Sequence, residues 1–296
     1  MFFKKVSHLF SIFEPSGIQR VNSESTIANN IWLDVKRDDQ LHPIISGNKW
    51  RKLKYLLLSI EDQGFNKIAT MGGPYSNFIH SFGYVCYLLG WQFEVFIRGY
   101  KEQPLTPTLI DCKKWGGKIH FADREQFKEL RQHSPELPDD IFWVTEGGMQ
   151  RESIVGLQEI LMEVERHYDY IVIASATGTS VAGLAEGAIT SPKKAKVIGV
   201  AVLNNSRQQM NDLTKLTKVG NWSIVDGYQF GGFAKINNEL ELFMDNFSQQ
   251  YKIPLEPIYS GKSFYATMDL IGKGYFKRGS KILLLHCGGM QGKRKL

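Results

Sequence analysis

Apolar residues return along this chain in two rhythms. Some form short runs of four to seven, rich in Ile, Val, Leu and Phe; others return every three or four positions over longer stretches. The first pattern predicts strands and the second amphipathic helices. Residues 31–37 alternate as a strand, which Asp38-Asp39 and His42-Pro43 break. A helix follows Lys49, with Leu53, Leu56 and Leu57 on one face and its end near Gly64. Lys67–Met71 predicts a strand, Phe78–Leu89 a helix closed by Gly90, Phe93–Ile97 a strand, and Thr108–Trp115 a helix stopped by Gly116-Gly117. Lys118–Phe121 is a strand, Arg124–Gln132 a charged helix, Ile141–Val144 a strand and Ile154–His167 a helix. Tyr170–Ala174, Val197–Val202 and Lys281–Leu285 are apolar without alternation, as strands buried on both faces must be. Ile236–Tyr251 reads as a helix, and Thr267–Ile271 belongs to another.

Strand and helix therefore alternate from end to end. The expected fold class is α/β, with open twisted, mostly parallel sheets covered by helices on both faces. The segments rich in Gly, Ser, Thr and Asn all follow strands, and in such sheets ligands bind at the carboxyl ends of the strands. A length of 296 residues admits two domains or one large α/β unit, and 43% hydrophobic residues support a packed core. No composition shift marks a domain boundary.

The formal charge of +6 favours small anions. Basic residues are scattered, and no basic stripe with interleaved aromatics points to nucleic acid. The tail Gly292-Lys293-Arg294-Lys295 reads as a solvated terminus. Cys86, Cys112 and Cys287 form no paired framework, which suits a reducing compartment; a cytoplasmic location is expected. No run of about 18 apolar residues predicts a membrane span, and residues 1–13 lack the form of a signal peptide. The seven histidines show no metal-ligand spacing, so no metal is expected.

Several segments can carry chemistry. Lys49, between a Gly-Asn turn and an apolar-periodic run, should lie at a helix N-terminus, where the dipole opposes a cation and lowers its pKa. A lysine held partly neutral is a nucleophile toward aldehydes; a solvated lysine is the plainer reading. Thr177-Gly178-Thr179-Ser180 joins a strand to a helix, a layout that grips phosphate through amide and hydroxyl donors; an ordinary strand-to-helix turn explains it equally well. Ser76, after Gly72-Gly73, is a nucleophile, a proton carrier or simply an N-cap, and Asn77 is a donor beside it. Cys287, at the end of a buried strand, faces a bound heterocycle or serves as a small hydrophobe. Tyr259-Ser260-Gly261-Lys262 is a site segment or a surface turn before a helix.

In this order, the motifs resemble pyridoxal phosphate enzymes of the tryptophan synthase β type (fold type II). Within it they resemble the family of 1-aminocyclopropane-1-carboxylate deaminases and D-cysteine desulfhydrases. Lys36-Arg37-Asp38-Asp39, followed by Gly47-Asn48-Lys49-x-Arg51-Lys52-Leu53, carries the likeness most specifically. The resemblance implies that Lys49 bonds the cofactor aldehyde and moves the α-proton. It implies that Ser76 and Tyr259 act in catalysis and that Asn77 donates to the ring oxygen. Thr177, Gly178, Thr179 and Ser180 would hold the phosphate, and Ser260 or Cys287 would face the ring nitrogen. It implies two domains, residues 1–49 with 151–296 and residues 50–150, with the cofactor cleft between them. Members commonly pair as dimers, so a homodimer stays open.

The departures bear on the reaction. Phe78 stands where relatives carry His or Gln, and Phe233 where they often carry tyrosine; both suggest a more apolar substrate pocket. The deaminases carry glutamate at the position of Ser260. A neutral partner leaves the ring a weaker electron sink, adequate for loss of a β-leaving group. The expected function is thus a lyase or deaminase acting on a small amino acid by β-elimination, giving a 2-oxo acid and ammonia. Opening of a cyclopropane ring, or cofactor binding without turnover, are the alternatives.

Overall fold

The computed structural model describes residues 5–190 and 194–294. In chain order the elements are α1 (Lys5–Phe10), β1 (Ile18–Val21), α2 (Glu24–Ala28), β2 (Trp32–Lys36), α3 (Asn48–Asp62), β3 (Lys67–Gly72), α4 (Asn77–Leu89), β4 (Gln92–Arg98), α5 (Pro107–Lys114), β5 (Lys118–Ala122), α6 (Arg124–Gln132) and β6 (Phe142–Val144). Then follow α7 (Arg151–Met162), β7 (Tyr170–Ser175), α8 (Thr179–Thr190), β8 (Lys196–Ala201), α9 (Ser206–Leu216), β9 (Trp222–Val225), α10 (Asn238–Tyr251), α11 (Ser260–Gly272) and β10 (Lys281–Leu285).

Local chemistry sets the boundaries. Ser76 caps α4 by accepting from Ile79 N, and Gly90 ends it in the left-handed conformation at φ 68°. Thr106 caps α5 with Pro107 just inside, and Asp123 with Gln126 forms a capping box on α6. α3 buries Leu53, Leu56, Leu57 and Ile60 on the face that the leucine spacing marks.

The strands form two sheets. One has the order β1-β2-β10-β7-β8-β9, parallel except for β1 at its edge; the other runs β5-β4-β3-β6 and is wholly parallel. The α/β class with mostly parallel sheets is therefore as expected. In the larger sheet, β7 leads through α8 to β8 on one side, while β10 and β2 lie on the other. A switch point falls between β10 and β7. In the smaller sheet, β3 leads to β4 while β6 lies on its other side, giving a second switch point. Open α/β sheets bind ligands outside the carboxyl ends of strands at such points. The loops leaving them are 73–76 and 145–150 from the smaller sheet, and 176–178 and 286–289 from the larger.

Three readings are corrected. α7 ends at Met162, not His167. Glu163 turns toward Lys36 and Arg51, and the apolar Val164 that prolonged the pattern enters the core from a loop. Ser260, Gly261 and Lys262 are the first turn of α11 rather than a turn before it. Of the basic tail, Lys295 lies outside the described residues, whereas Arg294 pairs with Asp111 at 2.7 Å instead of being merely solvated.

Candidate active site

Lys49 is the second residue of α3, and its side chain is buried. Gly47 sets its place: a β-carbon there would lie 1.8 Å from the Cys287 carbonyl oxygen, and its φ is +66°. The start of α3 therefore presses onto the loop after β10. From this position Lys49 Nζ donates to Asn48 Oδ1 at 2.5 Å and to the Cys287 carbonyl at 3.3 Å. It lies 5.2 Å from the centre of the Tyr259 ring. Burial pushes its pKa down, and no carboxylate forms an ion pair with it among the described residues. The expected lowering is present, but desolvation leads it rather than the helix dipole.

Asn48 links the amine to the phosphate-type turn, because its Nδ2 donates to Ser180 Oγ at 2.7 Å. Gly178 precedes α8, and its carbonyl accepts from Ala182 N. The amides of Thr179, Ser180 and Val181 thus occupy the first turn of a helix and have no intrahelical acceptor. Thr177 and Thr179 exchange a 3.1 Å hydroxyl contact at the mouth of the turn. Lys52, one turn after Lys49 on the same helix face, donates to the Gly147 carbonyl at 2.9 Å. A β-carbon on Gly147 would sit 3.0 Å from the Thr177 methyl, so this second buried cation borders the turn. Burial, with Lys49 nearby, lowers Lys52 to about 7.

Asn77 opens α4 and reaches across to the larger sheet. A β-carbon on Gly289 would lie 1.9 Å from Asn77 Nδ2, and the amide of Gly289 donates to Ser46 Oγ at 3.0 Å. Asn77 Nδ2 is buried without a hydrogen-bond partner, a condition native interiors seldom leave standing. Ser76, adjacent, serves as the α4 cap.

Ser260 and Cys287 are both buried. Burial pushes the Cys287 thiol up to about 11, so it stays neutral. Ser260 Oγ accepts from Glu256 N at 2.9 Å and lies 3.2 Å from Glu256 Oε1. Glu256 is fully buried, and its carboxylate accepts from the amides of Ile258, Tyr259 and Ser260 at 2.6–2.8 Å. Burial pushes this carboxyl up, and the three amides oppose that. The segment thus contains a buried carboxyl group one hydrogen bond behind Ser260, which its sequence gave no sign of.

Phe233 stands edge-on to Tyr259 at 6.3 Å between ring centres, and its ring lies 3.6 Å from where a β-carbon on Gly73 would be. It bridges loops from the two sheets at the site. Phe78 is 4% exposed, packs on Phe82 and lies against Gly148 of the 145–150 loop. Its ring joins the core of the smaller sheet, while Phe233 stands between the loops. Asn48, Lys52 and Glu256 were missed as site residues; the spacing of Lys52 from Lys49 by three was the available signal for one of them. A separate cavity of about 150 Å³, bordered by Trp50, Arg51 and Lys54, lies on the opposite face of α3.

A buried amine without an acid, amide and hydroxyl donors at a helix start within two hydrogen bonds of it, and an unpartnered buried amide nearby fit an aldehyde that carries a phosphate and an aromatic hydroxyl. Residues 19–288 match the family described as pyridoxal-phosphate dependent enzymes.

The chain belongs to that family.

A putative 1-aminocyclopropane-1-carboxylate deaminase of Pyrococcus horikoshii is 30% identical over 289 residues, covering 90% of this chain and 87% of that protein. A mitochondrial bifunctional D-cysteine desulfhydrase/1-aminocyclopropane-1-carboxylate deaminase of Arabidopsis thaliana is 26% identical, covering 97% and 79%. The crystal structure of an ACC deaminase homologue superposes with a TM-score of 0.84 at 27% identity, covering 98% of this chain and 96% of that one. The protein is a fold type II enzyme of the deaminase/desulfhydrase family, and its cofactor is pyridoxal phosphate. Among the described residues, no helix is long and apolar enough to cross a membrane.

Proposed function

We propose that this enzyme is a deaminating lyase for a small amino acid, expelling a β-substituent and releasing a 2-oxo acid and ammonia, as in D-cysteine desulfhydration. The observation that carries the proposal is the Lys49 amine, buried, shifted toward its neutral form and held between Asn48 and the Cys287 carbonyl. When bound, the cofactor supplies the electron sink that acidifies the α-C–H bond of an attached amino acid. The chain's own residues supply the rest. Lys49 carries the proton to and from that carbon. Thr177, Gly178, Thr179 and Ser180 hold the phosphate with amides and hydroxyls, and Lys52 balances its charge. Asn77 donates to the ring hydroxyl oxygen, Ser76 assists proton transfer, and Tyr259 packs beside the amine. Ser260 and the neutral Cys287 face the ring nitrogen. The two sheets support a division into residues 50–150 and the flanking residues, with the site at their seam.

β-Elimination ranks first because Ser260, not a carboxylate, occupies the position of the deaminases' glutamate. The names of several relatives favour cyclopropane ring opening, which is the second reading, whereas the Arabidopsis relative is named for both reactions. The test is a panel of D- and L-cysteine, β-chloroalanine, serine and 1-aminocyclopropane-1-carboxylate, read as 2-oxo acid, ammonia and sulfide. Pyruvate and sulfide from a cysteine support the proposal. Release of 2-oxobutanoate from the cyclopropane acid alone reverses the ranking. A protein that turns yellow with cofactor yet releases product from nothing is a binding homologue. A Lys49→Ala variant should remain colourless.

A further inference from the structure

The segment after β10 does more than complete the Gly288-Gly289 turn. Beyond Gly289, residues Met290–Lys293 form one helical turn that lies across the start of α4. Two side chains pin it there. Gln291 Nε2 donates to Asn77 Oδ1. Arg294 donates to Asp111 on α5 at 2.7 Å and contacts His80 Nε2 at 3.3 Å, one turn along α4 from Asn77. Its Nε also reaches the Gln291 carbonyl at 3.4 Å, which ties the two together.

This arrangement resolves an ambiguity in Asn77. An amide has one acceptor end and one donor end, and a half-turn exchanges them. The bond from Gln291 occupies the acceptor end. The donor end, Nδ2, is left buried, unpartnered and against Gly289. The adjoining Cys287 carbonyl is the one that Lys49 contacts. In pyridoxal phosphate the hydroxyl oxygen is ortho to the aldehyde carbon, so a donor beside the reactive lysine meets an oxygen, whereas an amide carbonyl there would repel it.

We propose that Gln291 is a positioning residue: it locks the Asn77 amide with Nδ2 toward the cofactor's ring oxygen, and Arg294 anchors the turn that carries it. The inference rests on the reading that Lys49 and Asn77 flank the cofactor. The chain segment that closes the larger sheet thereby sets the donor on the smaller one.

The test uses the purified full-length chain titrated with pyridoxal 5'-phosphate, read by its visible band and by the pH midpoint of that band. Gln291→Met keeps the bulk and removes the donor. Cofactor affinity should fall about fivefold to tenfold, the effect of misplacing one hydrogen bond to a charged acceptor. The pH midpoint of the band should move upward, because an oxygen that loses its donor holds a nearby proton more tightly. Gln291→Glu, whose carboxylate accepts from Nδ2 and so turns the amide round, should weaken binding further. In an Asn77→Ala background, Gln291→Met should have no added effect. The inference is overturned if Gln291→Met leaves affinity within twofold and the midpoint unmoved. It is equally overturned if the variant loses as much in the Asn77→Ala background, because the effect is then general packing. A parent protein without a Lys49-dependent visible band overturns the underlying reading as well, an outcome distinct from failure of the Gln291 variants alone.

Discussion

Lys52 permits a quantitative test of the site without any substrate. The residue is 6% exposed, its Nζ donates to the Gly147 carbonyl, and burial lowers its pKa to about 7 from an ordinary value of 10.5. Between these values the unfolded chain holds a proton on this lysine that the folded apoprotein has largely released. The contribution of this lysine to apoprotein stability must therefore rise with pH through this window, by up to about 1.4 kcal/mol per pH unit for each such group. Lys49 is lowered too and adds in the same direction. From about pH 7.5 to 8.5, ordinary histidines and carboxylates no longer titrate, but the thiols of Cys86, Cys112 and Cys287, raised in the folded state, ionise in the unfolded chain and add a slope of opposite sign. Urea unfolding across that unit is therefore compared between parent and Lys52→Met apoprotein, in which the thiol contribution is common and cancels. In Lys52→Met the slope should shrink by about 1 kcal/mol per pH unit. Saturating inorganic phosphate or cofactor should also reduce it, because a phosphate at the neighbouring turn restores the proton to Lys52. Parent and Lys52→Met slopes that coincide would refute the buried, partly neutral lysine and its place beside the anion site.

Other perturbations separate the site's parts. Glu256→Gln places an amide donor against one of the three backbone N–H groups that the carboxylate now accepts; it should destabilise the apoprotein by about 2–3 kcal/mol in urea unfolding. Gly289→Ala puts a β-carbon 1.9 Å from Asn77 Nδ2 at a φ of +86°, and cofactor affinity by absorbance titration should fall about tenfold or more. Phe233→Tyr adds a hydroxyl where Phe233 meets Tyr259; cofactor affinity should stay unchanged while kcat/KM shifts by up to about tenfold between substrates on the panel.

Much of this was legible from residue order. The runs 170–174, 197–202 and 281–285 are unbroken by polar residues because they lie inside a sheet covered on both faces. Lys49 falls at the start of α3 because the leucine spacing after it and the Gly-Asn turn before it leave little other choice. What was illegible has specific causes. β1 reads Ile-Gln-Arg-Val and β9 Trp-Ser-Ile-Val, edge strands whose mixed character carries little periodic signal. The end of α7 was overrun because Val164 continues the apolar spacing while the chain has already turned. Glu256 sits among Leu, Pro and Ile, and nothing local shows that its carboxylate folds onto the next three amides.

The deepest reason the site exceeds what the sequence displays is that it is made at a seam. Each sheet offers a switch point, but neither alone assembles the donors. The cross-seam contacts are short: Gly289 meets Asn77, and Gly147 meets Thr177. They tolerate little relative movement of the sheets, so something behind them must hold α3 in place. Arg51, on the face of α3 away from Lys49, bonds Glu163 at 2.7 Å and Asp38 at 3.2 Å, and buried Lys36 bonds the same glutamate at 2.8 Å. These groups come from β2, the Asp38–Gln40 turn after it, α3 and the end of α7. A β-carbon on Gly156 of α7 would lie 2.0 Å from the Arg51 carbonyl, so the helices also touch along their backbones. Charges fixed this way give direction as well as attraction, since a planar guanidinium accepts few orientations of its partners. The Lys36-Arg37-Asp38-Asp39 and Arg51 positions that carry the family resemblance therefore act at one remove from the chemistry: they aim the helix that presents Lys49.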